Sequence, residues 1–161
     1  MADTAIDVSP SPESLANMAV ETAKVARMMG HEPRVALLSF SNFGNPLHET
    51  TRKIREAVAI LDNQNVDFEY EGEMTADVAL NEDLQKLYPF SRLSGTANVL
   101  IAPDLHSSHI SSKLLVELGG GFIIGPVLVG MSKSAQIVPM NSSTSDILNT
   151  AALAASITSL D

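Results

Sequence analysis

The stretch between residues 97 and 133 constrains the fold more than any other part of the chain. Residues 97–102 form an apolar run, interrupted only by Asn98, that ends at Pro103, and a short polar loop follows. Residues 110–118 then carry apolar side chains at helical spacing before a run of glycines. This order predicts a buried strand, a loop and a helix that ends at glycine. A strand followed closely by a helix is a typical unit of an α/β sheet.

The rest of the chain repeats the alternation of strands and helices. Ser11, Pro12 and Glu13 have the residue types of a helix N-terminus, and the apolar positions that follow end at Gly30. Periodicity assigns the remaining segments, with strands at 2–8, 35–40, 67–71 and 135–138, and helices at 49–63, 75–87 and 143–159. Because strands separated by long helices pair in parallel, we predict one α/β domain with three layers, a mostly parallel sheet with helices on both faces.

Composition excludes several classes of function. The chain has 161 residues and a net charge of -9, which disfavours a nucleic-acid partner. It has no cysteine, so disulfides, thiolate nucleophiles and sulfur-ligated metal sites are excluded. No metal site is predicted, because the four histidines do not form an i, i+4 pair. No apolar run approaches the roughly 18 residues of a membrane span and no signal peptide is visible, so we expect a cytoplasmic protein without a membrane partner.

Several longer motifs, taken in their order along the chain, resemble one known family. The motifs are ADTA at 2–5, RVALLSFS at 34–41, DFEYEGEMTADVAL at 67–80, ANVLIAPDL at 97–105, IGPVLVGMSK at 124–133 and SDI at 145–147. With these motifs the chain resembles the phosphate acetyl/butyryl transferase family. Within that family it is most similar to the C-terminal phosphotransacetylase-like domain of large bacterial NADP-dependent malic enzymes.

The resemblance implies a place in a larger protein. It implies a two-domain transferase fold in which residues 1–138 are the second α/β subdomain and residues 139–161 are a C-terminal helix that returns to a first subdomain. The parent would also carry an N-terminal domain that decarboxylates malate to pyruvate with NADP and Mg²⁺ or Mn²⁺, and we expect no cofactor in this chain itself. The expected partners are acetyl-CoA or CoA, the N-terminal malic-enzyme domain and further copies of the chain.

The resemblance also indicates where transferase chemistry would lie. Active members carry a Ser-Arg pair that holds phosphate and, a few residues later, an Asp that helps to deprotonate the CoA thiol. Asp146 matches that Asp, although an acid in the first turn of a helix is also explained by capping. Pro139 and Met140 stand where Ser-Arg would fall, and neither can donate a bidentate fork to phosphate. We therefore expect no catalytic residue beyond the single match at Asp146.

The candidate ligand-binding residues lie at strand ends and in the loops that follow them: Ser39, Ser41, Asn42, Gly44, Asp104, Gly130 and Lys133. Hydroxyl and N–H groups at the first four could receive a phosphate or acyl oxygen, and Lys133 could neutralise a phosphate of CoA. An ordinary Ser or Asn turn and a solvated lysine explain the same residues equally well. His106 and His109 are better explained as loop histidines than as ligand contacts.

Three functions remain open on these grounds. The favoured one is a regulatory and oligomerisation domain of a malic enzyme that binds acetyl-CoA as an allosteric effector and has lost transferase activity. The second is an active phosphate acetyltransferase, which would need its arginine from another domain or subunit. The third is a pure dimerisation module. Binding of acetyl-CoA separates the first from the third, and turnover separates the second from both.

Overall fold

A computed structural model describes residues 1–119, 124–140 and 142–157 of the chain. The chain divides into two units, residues 1–111 and 112–161, and each is described by itself. The boundary at residue 138 that the family resemblance implied stays a prediction.

The sheet of the first unit consists, in the described residues, of three parallel strands in the order β2, β1, β3. These are β1 (Arg34–Leu38), β2 (Glu69–Met74) and β3 (Val99–Ile101). The α-helices are α1 (Pro12–Met28), α2 (Arg52–Gln64), α3 (Ala76–Leu80), α4 (Glu82–Gln85), α5 (Leu105–Gly119) and α6 (Thr144–Ile157). A short 3₁₀ helix, Glu49–Thr51, leads into α2.

The two faces of the sheet are covered by different elements. Side chains alternate along β1, so Val35 and Leu37 lie in one core with α1, α2 and β3, while Ala36 lies in the other. That second core contains Met74 from the end of β2 and Val78 from α3. Helices therefore cover both faces of a parallel sheet, and the predicted three-layer α/β class is confirmed.

The strand predicted at residues 2–8 is wrong. Ala2 makes a single parallel bridge to Ile101, and the chain then turns. The cause is the Asp3 side chain, whose carboxylate accepts the main-chain N–H groups of Ala5 at 2.6 Å, Ile6 at 3.0 Å and Asp7 at 2.6 Å. A carboxylate that collects neighbouring N–H groups competes with strand pairing, although the apolar-polar alternation is present.

Side-chain caps set several helix boundaries. The predicted start of α1 is confirmed, because Ser11 Oγ accepts the N–H of Ser14 at 3.2 Å. The helix predicted at 75–87 is divided, since Asn81 leaves α3 in an extended conformation and its Oδ1 accepts the N–H of Asp83 at 2.9 Å to begin α4. Helix α5 begins at Leu105, earlier than residue 110.

The second unit contains α6 and the loop before it. The predicted N-terminus of α6 is confirmed, because Ser143 and Asp146 exchange hydrogen bonds as a capping box. The strand predicted at 135–138 is wrong; there the Gln136 side chain bonds both main-chain groups of Leu128, at 2.9 and 3.1 Å. The predicted glycine stop at 120–121, the adjoining apolar residues 122–123 and the end of the last helix at 158–159 lie outside the described residues.

Candidate functional site

A cleft of about 500 Å³ opens at the carboxyl ends of β1 and β3. Ser39 and Phe40, which follow β1, and Pro103 and Asp104, which follow β3, line one side, and residues 49–54 line the other. The central strand β1 has β2 on one side and β3 on the other, so the connection from β1 to β2 and the connection from β2 to β3 cross the sheet in opposite directions. The strand order therefore reverses between the ends of β1 and β3. In open α/β sheets such a point is where ligands bind.

The wall formed by the 3₁₀ helix and the start of α2 is fixed by local hydrogen bonds. His48 caps the 3₁₀ helix, since its Nδ1 accepts the N–H of Thr50 at 3.2 Å and its carbonyl accepts Thr51 Oγ1 at 2.9 Å. Arg52 is paired with Glu49 at 2.9 Å. Lys53 lines the same wall and forms no ion pair with any residue that the structure describes. Lys53 is therefore a cation that a bound anion could use.

Asp104 contributes a negative charge on the opposite side of the cleft. Its Oδ1 accepts the N–H of Ser107 at 2.8 Å and the hydroxyl of Ser107 at 2.9 Å, which caps the first turn of α5. The main-chain N–H of Ser107 lowers the pKa of Asp104 most, and the nearby charges of Lys53 and His106 lower it further. The cleft thus carries both signs of charge, with Asp104 already occupied as a helix cap.

The loop that follows β1 turns most of its polar groups toward β2. Ser41 is fully buried, and its hydroxyl donates to Glu73 Oε1 at 2.5 Å. The N–H of Gly44 donates to the same oxygen at 2.9 Å, and Asn42 Oδ1 accepts the N–H of Thr75 at 2.8 Å. Of the four candidates in this loop, only Ser39 lines the cleft. The structure therefore places Ser39 and Asp104 at one cleft and Ser41, Asn42 and Gly44 in a network behind it.

Sequence reasoning missed the carboxylate at the centre of that network. Glu73 is fully buried and also accepts Nη1 of Arg55 at 3.0 Å on both of its oxygens. The signal that could have found it is the run of acids at alternate positions from Asp67, because alternate residues of a strand share one face and an acid on a buried strand needs a partner.

The remaining candidates belong to the second unit. Gly130, at a φ of 73°, and the exposed Lys133 lie in the loop that Gln136 ties to Leu128. Lys133 forms no ion pair within the described parts of the chain. Asp146 accepts the N–H of Ser143 at 2.9 Å, and the hydroxyl of Ser143 lowers its pKa. Asp146 thus has the capping role that the sequence also allowed.

The described residues also bear on metal binding and on insertion into a membrane. Among residues 1–119, 124–140 and 142–157, no group of three or more His, Cys, Asp or Glu side chains could hold a metal ion. No helix in those same segments has both the length and the apolar character needed to cross a bilayer.

A family model decides where the chain belongs. Residues 1–155 match the model described as "Phosphate acetyl/butaryl transferase". The chain is a member of that transferase family. The resemblance read from its motifs is confirmed, and the cleft described above lies in the matched region.

Individual relatives divide into two kinds of protein. An NADP-dependent malic enzyme of Rhizobium meliloti is 55% identical over 155 residues, which cover 96% of this chain and 20% of that protein. A phosphate acetyltransferase of Thermoanaerobacterium thermosaccharolyticum is 40% identical over 156 residues, which cover 96% of this chain and 48% of that protein. The chain thus spans about a fifth of the malic enzyme and about half of the transferase. It is homologous to the phosphotransacetylase domain of NADP-dependent malic enzymes.

Solved structures agree with this assignment. A phosphotransacetylase from Streptococcus pyogenes matches with a TM-score of 0.90 at 36% sequence identity. The match covers 96% of this chain and 47% of that chain. The fold of the transferase family therefore extends over nearly the whole chain.

Proposed function

We propose that this chain is the regulatory domain of an NADP-dependent malic enzyme, which binds acetyl-CoA as an effector and does not transfer acyl groups. In this proposal the parent oxidatively decarboxylates malate to pyruvate, and NADP and Mg²⁺ or Mn²⁺ are bound by its N-terminal domain. The 55% identity with a malic enzyme of which this chain matches a fifth supports that parentage.

The observation that carries the proposal is the pair Pro139 and Met140. The family resemblance puts a Ser-Arg pair there, which would hold phosphate through a charged fork of donors. Proline has no N–H and a thioether is only a weak acceptor, so phosphate would lose its main cation. Asp146, the remaining match to the transferase residues, is bonded to Ser143 at both its N–H and its hydroxyl. Loss of the phosphate-holding pair with retention of the fold favours a domain that binds acetyl-CoA without catalysing acyl transfer.

The cleft supports the binding half of the proposal. A volume of about 500 Å³ lies within the usual range of small-molecule sites, about 300–1,000 Å³. Lys53 supplies a positive charge and Ser39 a hydroxyl at the ends of the strands, where anionic ligands of α/β sheets commonly bind. We assign the phosphate-bearing end of acetyl-CoA to this cleft. Gly130 and Lys133 of the second unit remain candidate ligand contacts of their own.

Self-association is the other half of the proposed role. The helix α6 exposes the large apolar side chains of Ile147 and Leu148. Exposed apolar side chains on one helix favour burial against a partner, and a symmetric copy is the commonest partner. We expect light scattering to report at least a dimer. A monomer at tens of micromolar protein would contradict this part of the proposal.

The deciding experiment titrates acetyl-CoA into the chain and into its full-length parent by calorimetry, and assays both with acetyl phosphate and CoA. We expect binding to both, inhibition of the parent's malate oxidation, and no acetyl transfer. Turnover on the order of 1 per second or faster would instead establish an active transferase. Absence of binding up to about 1 mM, equivalent to about -4 kcal/mol, would leave only the assembly role.

A charge-reversal pair tests the candidate contact in the second unit. We expect Lys133→Glu to weaken acetyl-CoA binding and to desensitise the parent, because it replaces attraction for phosphate by repulsion. Lys113→Glu is the matched control, since it makes the same charge change on α5, at a lysine to which we assign no ligand contact. Equal affinities of the two variants and the wild type would show that Lys133 is a solvated side chain.

A further inference from the structure

We propose that Glu73 is a positioning residue. It fixes the position of one wall of the cleft, the loop after β1, relative to the other wall, the 3₁₀ helix. The inference rests on the proposed function only for the identity of the ligand, acetyl-CoA. The geometric part concerns how one buried carboxylate fixes two separate segments of the chain.

One carboxylate oxygen of Glu73 gathers donors from both segments. Its Oε1 accepts the hydroxyl of Ser41 at 2.5 Å, the N–H of Gly44 at 2.9 Å and Nη1 of Arg55 at 3.0 Å. The same Nη1 donates to Thr51 Oγ1 at 2.6 Å. Glu73 is therefore hydrogen-bonded directly to the loop after β1, and Arg55 connects it to the end of the 3₁₀ helix.

These two segments are the walls of the cleft. The loop after β1 begins at Ser39, two residues before Ser41, and the 3₁₀ helix ends at Thr51; both Ser39 and Thr51 line the cleft. Glu73 itself does not line it. A change at Glu73 would therefore reach a ligand only by shifting these walls, which is the property of a positioning residue.

The conformation of the loop shows that it needs such support. Phe43 has a φ of 52°, in the left-handed region that bulky residues rarely adopt. A residue held there persists only where its surroundings over-determine the conformation. The N–H of Phe43 donates to the carbonyl of Glu73 at 2.8 Å, and the next N–H, that of Gly44, donates to the Glu73 side chain. The N–H of the strained residue and the N–H of the residue after it thus both donate to Glu73.

Stability alone does not explain a buried glutamate at position 73. Burying a carboxylate and its partner costs desolvation that their attraction often fails to recover, and apolar replacements can be at least as stable. Glu73 is fully buried, while its partner Arg55 remains about one-third exposed, with a side-chain exposure of 32%. The directional bonds of the carboxylate, which an apolar side chain cannot make, are what Glu73 contributes.

The same strand supplies a matched control. Glu71 is also buried, and it accepts Nη2 of Arg92 at 3.0 Å and the N–H of Arg92 at 3.0 Å. Neither Glu71 nor Arg92 lines the cleft, and within the described residues the Glu71 side chain is hydrogen-bonded to Gly72 and Arg92, not to the loop after β1 or to the 3₁₀ helix. Glu71→Gln and Glu73→Gln therefore remove one buried charge each from one strand, and only the second disturbs the walls.

Hydrogen–deuterium exchange measures the geometric part without any ligand. We expect Glu73→Gln to speed exchange of the amides in residues 39–51 by about tenfold, equivalent to about 1.4 kcal/mol, because both walls open more often. We expect Glu71→Gln to leave that segment unchanged. The inference is overturned if the two variants exchange alike in residues 39–51.

Acetyl-CoA titration of the same variants measures the functional part. We expect the dissociation constant to rise about tenfold in Glu73→Gln and to stay within about twofold of wild type in Glu71→Gln, since small misplacements of a site are costly. Faster exchange with unchanged affinity would overturn the link to binding. Failure of the wild type to bind acetyl-CoA would refute the proposed function, while the exchange result would still decide whether Glu73 positions the walls.

A milder pair guards against misfolding of Glu73→Gln. Ser41→Ala removes one donor and leaves Glu73 bonded to Gly44 and Arg55. Its control is Ser94→Ala, because the exposed Ser94 donates its hydroxyl to the half-buried Glu69 on the same strand as Glu73, at 2.9 Å. Faster exchange in residues 39–51 for Ser41→Ala alone supports the inference, and equal exchange in both serine variants refutes it.

Discussion

Replacement of Gly72 by alanine tests how closely β2 packs against β1. Gly72 lies opposite Leu37 in the parallel pair, and Leu37 is fully buried. A Cβ at position 72 would lie 2.8 Å from Leu37 Cβ and 2.9 Å from the Leu37 carbonyl oxygen. Carbon atoms in contact prefer about 3.5–4.0 Å, so the two strands have to separate or twist. Neither contact involves the free end of a flexible side chain that could turn away.

The size of the effect follows from two opposing terms. An extra carbon in a well-packed core costs about 1–3 kcal/mol, and contact with main-chain atoms favours the upper part of that range. Alanine also restricts the unfolded chain, which returns about 0.4–1 kcal/mol. We therefore expect Gly72→Ala to lower the free energy of unfolding by about 1–2 kcal/mol. For a chain of this size the melting temperature should fall by about 2–4 °C for each kcal/mol.

Urea and thermal unfolding followed by far-ultraviolet circular dichroism provide the measurement, with Gly95→Ala as the control. A Cβ at position 95 would meet only Arg34 Nε, at 3.7 Å, which is an ordinary contact. Gly95→Ala should therefore be neutral or stabilising by about 0.4–1 kcal/mol. The packing argument is refuted if Gly72→Ala is as stable as the control, whatever the absolute values.

Three further predictions concern separate parts of the chain. Burial, and then the hydrogen bond to Asp62, raise the pKa of Tyr70 from 10.0 to about 12. Between these two pH values the folded state keeps a proton that the unfolded state loses, so the free energy of unfolding should fall as pH rises through the interval. Ultraviolet titration should show the pKa of Tyr70 return toward 10 in Asp62→Asn. Ser143→Ala should reduce the helix signal and destabilise α6 by about 1 kcal/mol, and an unchanged signal would contradict the capping role. Lys53→Glu should weaken acetyl-CoA binding more than Lys113→Glu does in the same titration, and equal effects would remove Lys53 from the site.

The parts of the fold that the sequence predicts correctly depend on residues close together along the chain. The start of α1 needs only Ser11 and the proline that follows it, and the start of α6 needs only Ser143 and Asp146. Residues 35–38 of strand β1 are a continuous apolar segment in the sequence, and the strand is buried on both faces in the structure. Because each of these signals is local, it survives whatever tertiary contacts form later.

The incorrect predictions arise where one polar side chain takes over main-chain groups. Asp3 collects the N–H groups that a strand at 2–8 would have used, and Gln136 bonds Leu128 in place of a strand at 135–138. Asn81 divides a helix in the same way. Periodicity counts apolar positions and does not register this competition, because it assigns no geometry to a polar side chain.

The candidate site was only partly predictable because its central contact joins residues far apart in sequence. The loop after β1 has the serine, asparagine and glycine of an anion-binding turn. From the sequence alone, an ordinary turn explains these residues equally well. A carboxylate 32 residues beyond Ser41 takes the Ser41 hydroxyl and the N–H of Gly44. An anionic ligand that approached those two donors would meet the charge of Glu73 and would have to displace it. We therefore expect the phosphate of a bound ligand to contact Lys53 and Ser39 first, and Ser41 and Gly44 to influence binding through the walls that Glu73 holds in place.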